Sequence, residues 1–102
     1  MGIRLSKREV EAIKSVTREV FGDGAVIYLF GSRVDPEKRG GDIDLFVELP
    51  ENFPKEEIID RKIKFLVRLK DQIGEQRIDL VVRRKGEEDF ISKVAKEEGV
   101  RL

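Results

Sequence analysis

The sequence contains no cysteine and no histidine, and its charges cancel. Without cysteine there is neither a disulfide framework nor a thiolate metal site. Without histidine, an imidazole-ligated zinc and a Ser-His-Asp triad are both excluded. Acid–base and metal chemistry is left to carboxylates, whose oxygens favour hard ions such as magnesium. The charge balance narrows the field further: 21 Lys and Arg are matched by 21 Asp and Glu, whereas a dedicated nucleic-acid binder normally shows a basic surplus. No apolar run approaches membrane-spanning length, and Met1 to Lys7 lacks the apolar centre of a signal peptide, so the sequence reads as cytoplasmic. Abundant Lys, Arg and Glu fit a thermophilic source and a well-charged mesophilic one equally.

What is present is enough for one core: 102 residues, read as a single domain over 1–102, short for a complete enzyme. Ser6-Lys-Arg-Glu9 is a capping box with Leu5 and Val10 at the staple positions, so a first helix runs to about Phe21 on the face of Val10, Ile13, Thr17, Val20 and Phe21. Gly22-Asp23-Gly24 stops it. Ala25 to Phe30 is a short apolar run bounded by glycine, a buried strand. Asp35-Pro36 and Gly40-Gly41 mark turns in the polar stretch that follows. Asp42 to Leu49 alternates, with Asp42, Asp44, Phe46 and Glu48 on one face and Ile43, Leu45, Val47 and Leu49 on the other. Pro54 suits the first position of a helix that runs to about Ile73. Arg77 to Arg83 alternates again as a third strand. Glu87 to Glu98 completes the pattern as a helix with Phe90, Ile91, Val94 and Ala95 inward.

Gly31-Ser32, nine residues, then Asp42-Ile-Asp44, with a further strand-borne Asp79, is the informative constellation. Residues two apart on a strand point the same way, so Asp42 and Asp44 share a face. Like charges held side by side repel unless a cation lies between them. Each element alone is bland: a Gly-Ser after a strand is usually a turn, and an Asp-x-Asp is usually a solvated face. Their connections tie them together. Ser32 ends the first strand and Asp42 begins the second, so the two meet only if these strands are antiparallel. A helix then links the second strand to the third, the usual crossover between parallel strands, and this brings Asp79 beside Asp44. The expected fold is therefore a small mixed α/β (α+β) sheet with the second strand central and the helices packed on one face.

Leu29-Phe-Gly-Ser-Arg33 followed by Gly40-Gly-Asp-Ile-Asp-Leu45 resembles the signature of the DNA-polymerase-β-like nucleotidyltransferases, and in particular their minimal bacterial and archaeal members. Arg77-Ile-Asp-Leu-Val is similar to the family's third-carboxylate strand, and Lys96-Glu-Glu-Gly-Val to its usual ending. The resemblance implies an enzyme that moves a nucleoside monophosphate, AMP from ATP first among them, onto a hydroxyl. It implies Asp42, Asp44 and Asp79 as catalytic metal ligands for Mg2+ (two ions, with Mn2+ the alternative), and Gly31, Ser32 and Arg33 as nucleotide-binding. Arg33, Lys38 and Arg39 are unranked candidates for steadying the leaving pyrophosphate. Val34-Asp-Pro-Glu-Lys38 departs from the family's commoner small-residue loop and weakens a basic phosphate clamp there. The implied partner is a small all-helical protein, a HEPN-type toxin or a substrate-binding subunit, with room for a homodimer. The competing reading is an antitoxin or nucleotide-binding module that acts by contact without catalysis. An RNA-tailing or repair polymerase fits worse, because the chain is not basic. On the middle helix Ile58, Ile59, Ile63, Phe65, Leu66, Val67, Leu69 and Ile73 span about 200°, wider than the ~100° stripe one core contact needs. Partner contact and full burial both account for that width.

Overall fold

The computed structural model describes residues 3–35, 37 and 41–102. Helix α1 (Lys7–Phe21) starts as its capping box dictates: Glu9 N donates to Ser6 Oγ at 3.1 Å, and Ser6 N donates to Glu9 Oε1 at 2.8 Å. Strand β1 (Val26–Phe30) pairs antiparallel with β2 (Ile43–Leu49), and β2 pairs parallel with β3 (Ile78–Arg84). A two-residue strand β4 (Val100–Arg101) lines the other edge of β1, giving the order β3-β2-β1-β4. The central, mixed position of β2 is the one expected from the connections. Strand β4 was not foreseen, because two residues are too few to display an alternation.

Helix α2 (Ile58–Ile73) provides the crossover from β2 to β3. Its start differs from expectation. Pro54 opens a 3-10 turn over Lys55–Glu57, and the α-helix begins only after it. Proline's fixed φ suits either kind of first turn, so the sequence could not separate them. Helix α3 (Phe90–Glu98) is likewise shorter than Glu87–Glu98. Asp89 caps it, accepting from Ser92 N at 3.1 Å while donating its own amide to Ser92 Oγ at 2.9 Å. Glu87 instead accepts from Arg84 N at 2.8 Å and closes the turn after β3.

Helices α1 and α2 cover the apolar face of the sheet, burying Ile13, Val16 and Phe65 against Leu29, Ile43, Leu45 and Val47. Helix α3 takes the other face, where Lys96 forms an ion pair with Glu48 and a second one to Glu88 at 3.4 Å. The helical cover is thus two helices on the apolar face and one on the opposite face. Phe46 is fully buried on that second face, with Tyr28 beside it at a ring separation of 6.0 Å. Ser92 and Ala95 are the buried residues of α3, and Phe90 is 80% exposed rather than inward. Of the expected inward set Phe90, Ile91, Val94 and Ala95, only Ala95 is buried, Ile91 and Val94 are half-buried, and the cap serine packs inward in place of Phe90. On α2 the wide apolar arc divides. Phe65 and Leu69 are buried, while Ile59 (75%), Ile63 (57%) and Val67 (57%) face solvent in a row. Among the described residues, no helix is long and apolar enough to cross a membrane.

Candidate active site

On its face of the sheet α3 reaches β2 through Lys96 at Glu48, near the strand's end, while Asp42 and Asp44 at the strand's beginning stay partly exposed. Asp42 immediately precedes β2 and is half-buried, Asp44 lies within it, and Asp79 lies opposite Asp44 in the parallel register. Ile43 N donates to Arg77 O at 2.9 Å, which fixes that register at the strand starts. The carboxyl groups of Asp44 and Asp79 are close enough to share a hydrogen bond, and Asp42 adds its field. Burial first, then the charges of Asp79 and Asp42, push the Asp44 carboxyl above its ordinary range.

The turn that leaves β1 meets the carboxylates from the other side. Phe30 pairs with Asp44, and Gly31 begins a 3-10 turn, Gly31–Val34, with φ +76°. A Cβ on Gly31 would run into Asp44 Oδ2 and lie 3.0 Å from Asp44 Cγ. Glycine is therefore required twice over, by the backbone angle and by the carboxylate. Gly41, with φ +88°, does the same for Ser32, whose Oγ occupies the space a side chain would take. The Gly40-Gly41 pair reads in the sequence as a turn; the contact of Gly41 with Ser32 is visible only in three dimensions.

Arg33 is not aimed at the open face. Its Nη1 donates to Arg4 O at 2.8 Å and its Nη2 lies 3.4 Å from Gly41 O, while its buried Nε has no partner among the described residues. In return Arg4 Nη2 donates to Ser32 O at 3.2 Å and Arg4 Nε to Asp35 O at 3.1 Å. Arg4 braces the turn through the Ser32 and Asp35 carbonyls, and Arg33 ties it to Arg4 O and Gly41 O. Arg4 carried no signal in the sequence, being one basic residue ahead of a helix. The other two candidates for the pyrophosphate, Lys38 and Arg39, lie outside the described residues, as do Pro36 and Gly40 of the expected turns.

Among the described residues, no three acidic side chains gather tightly enough to enclose a metal ion alone. Asp44, Asp79 opposite it and the nearby Asp42 present hard carboxylate oxygens that could contribute to a metal site. Beside them a cleft of about 280 Å3 is lined by Asp42, Lys70, Arg77, Ile78 and Asp79.

The sequence model of the nucleotidyltransferase domain matches residues 10–102, nearly the whole chain. The chain belongs to the nucleotidyltransferase family. Its fold is also that of a solved protein from Sulfolobus solfataricus with a provisional nucleotidyltransferase name, at 22% identity and a TM-score of 0.52, covering 98% of this chain and 90% of that one. No curated protein matches the sequence significantly. The family places this nucleotidyltransferase among transferases, and it is the family to which Gly31-Ser32 and Asp42-Ile-Asp44 pointed.

Proposed function

We propose that the chain transfers a nucleoside monophosphate, AMP from ATP, onto a hydroxyl of a partner protein or of a substrate which that partner holds. The observation that carries this reading is the contact of Asp44 with Asp79 beside a glycine turn that has no room for a side chain. Gly31 lets a phosphate approach the main chain, and the Ser32 hydroxyl and amide receive the β- and γ-phosphates. Asp42, Asp44 and Asp79 would hold Mg2+, two ions with Mn2+ the alternative. Bound there, the ions would supply positive charge against the phosphate oxygens during in-line displacement. Asp79 is exposed, as a group that meets an incoming acceptor has to be. It takes the hydroxyl proton while the acceptor oxygen bonds to the α-phosphorus. The bond from the α-phosphorus to its bridging oxygen then breaks, and pyrophosphate leaves. Arg33 and Arg4 keep the turn in shape from behind.

The acceptor side is supplied by a small all-helical protein, of HEPN or substrate-binding type, in a two-component system of which a toxin–antitoxin pair is one form. The exposed row of Ile59, Ile63 and Val67 on α2 supports such a contact, since apolar rows of this kind mark interaction surfaces. Titration calorimetry with ATP, with and without Mg2+, is the first test. Asp42→Asn and Asp44→Asn should each remove most of the metal-dependent affinity. In single-turnover transfer to the co-encoded helical protein, Asp79→Asn should lower the rate by about 10²–10⁴-fold while weakening ATP binding less. Equal ATP affinity with and without metal overturns the site. A wild-type chain that binds ATP but transfers nothing to its partner returns the function to contact neutralisation.

A further inference from the structure

The in-line geometry of the proposed transfer assigns sides to the site. The glycine turn that would hold the departing pyrophosphate approaches Asp44 from β1, and Asp79 flanks Asp44 on β3, the outer strand of the sheet. Attacking and leaving oxygens lie on opposite sides of the phosphorus. An acceptor must therefore enter over the start of β3.

The cleft lined by Asp42, Lys70, Arg77, Ile78 and Asp79 is at that place. It carries two cations from different elements, Lys70 from the last turns of α2 and Arg77 from just before β3. Among the described residues, neither side chain forms a hydrogen bond or an ion pair, although Asp42 and Asp79 line the same cleft. A basic residue near a helix C-terminus has an ordinary explanation in the helix dipole, and that covers Lys70. It does not cover Arg77, which is off the helix and exposed. Lacking a partner does not by itself single out Arg77, since among the described residues the Arg8, Arg18 and Arg101 side chains also form no hydrogen bond or ion pair; what sets Arg77 apart is its place with Lys70 in one cleft beside Asp79.

We infer that Lys70 and Arg77 form an anion subsite on the acceptor side, and that the acceptor is the second of the two proposed kinds, a partner-held substrate, here a small hydroxyl compound whose phosphate group this chain grips. An arginine fork and a lysine from separate elements can grip different oxygens of one phosphate. The bound phosphate would place the neighbouring hydroxyl over Asp79. This rests on the proposed transfer for its direction, but the binding subsite can be tested without any transfer.

The experiment is amide NMR on the full chain saturated with Mg2+ and α,β-methylene ATP, titrated with glycerol 3-phosphate and, separately, with glycerol. The expected result is saturable shifts centred on Lys70, Arg77 and Ile78 with glycerol 3-phosphate and none with glycerol. A Lys70→Gln, Arg77→Gln double variant should weaken that binding by at least about tenfold, as loss of charge-assisted hydrogen bonds does, with affinity for the ATP analogue within about twofold. Shifts that persist in the double variant, or that centre on Gly31 and Ser32, overturn the subsite. A short single-stranded RNA that binds at Lys70 and Arg77 more tightly than glycerol 3-phosphate overturns the assignment to a small acceptor. If the ATP analogue itself fails to bind with Mg2+, the nucleotide reading fails. The glycerol 3-phosphate shifts, measured without nucleotide, then still decide the subsite separately.

Discussion

At the scale of single residues, Asp44 is where stability and function pull in opposite directions. Its carboxyl is desolvated and faces Asp79 and Asp42, so its ionised form is disfavoured in the metal-free fold. A carboxylate with a raised native pKa subtracts stability at neutral pH, and the penalty is relieved as pH falls through that pKa. Asp44→Asn removes the charge at nearly constant volume. It should therefore stabilise the metal-free fold, by on the order of 1 kcal/mol or less because solvent screens part of the repulsion, and so raise its melting temperature. The same variant should lose Mg2+-dependent ATP binding. Thermal unfolding with and without Mg2+ and ATP reads both effects, and a lower metal-free melting temperature would mean that Asp44 is held by partners rather than strained by neighbours. Asp42, Asp44 and Asp79 were legible as a set from their spacing and strand faces. Arg33 was legible only as a basic residue in a motif; its use as a brace depends on Arg4 O and Gly41 O, which the chain reaches only after folding.

At the scale of elements, the helix starts divide according to how local their chemistry is. Ser6 and Glu9 are three residues apart, and the capping box they form was readable because both of its bonds are local. Ser6→Ala should cost about 1 kcal/mol in urea unfolding. Glu9 has a further duty, since Gln76 Nε2 donates to its Oε2 at 3.0 Å and joins the start of α1 to the segment before β3. Burial acts to raise the Glu9 pKa, but the hydrogen bonds from Gln76 and Ser6 outweigh it, and the pKa lies below the ordinary 4.5. A depressed carboxylate contributes stability that is fully present above its unfolded pKa and is lost as pH falls through the folded one. The stability gap between wild type and Glu9→Gln should therefore close on acidification below about pH 4.5. A gap that widens on acidification would contradict this sign. Helix α3 was less legible because Asp89-Phe-Ile-Ser92 caps in the reverse order of residue types, and because its inward side is marked by a serine.

At the scale of the whole molecule, the sheet has two unequal covers, and that inequality makes the site. Helices α1 and α2 close one face completely, whereas α3 reaches β2 on the other face at Glu48, and Asp42 and Asp44 stay partly exposed. Phe65 and Ile63 are two residues apart on α2 yet belong to different environments, one fully buried and the other 57% exposed. Phe65→Ala should cost roughly 3–5 kcal/mol. Ile63→Gln should stay within about 0.5 kcal/mol in the isolated chain. Equal losses in urea unfolding would mean that the α2 row is part of the core. The sequence by itself determined the three main strands, the mixed pairing of the central one and the three aspartates, because alternation and crossover length are local or topological constraints. Only the tertiary structure decided that α3 lies on the opposite face from α1 and α2, that Arg33 turns inward, that Gly41 makes room for Ser32, and that Lys70 reaches a cleft beside Asp79. Each of these depends on contacts between residues far apart in the chain, which no period of two or of 3.6 can encode.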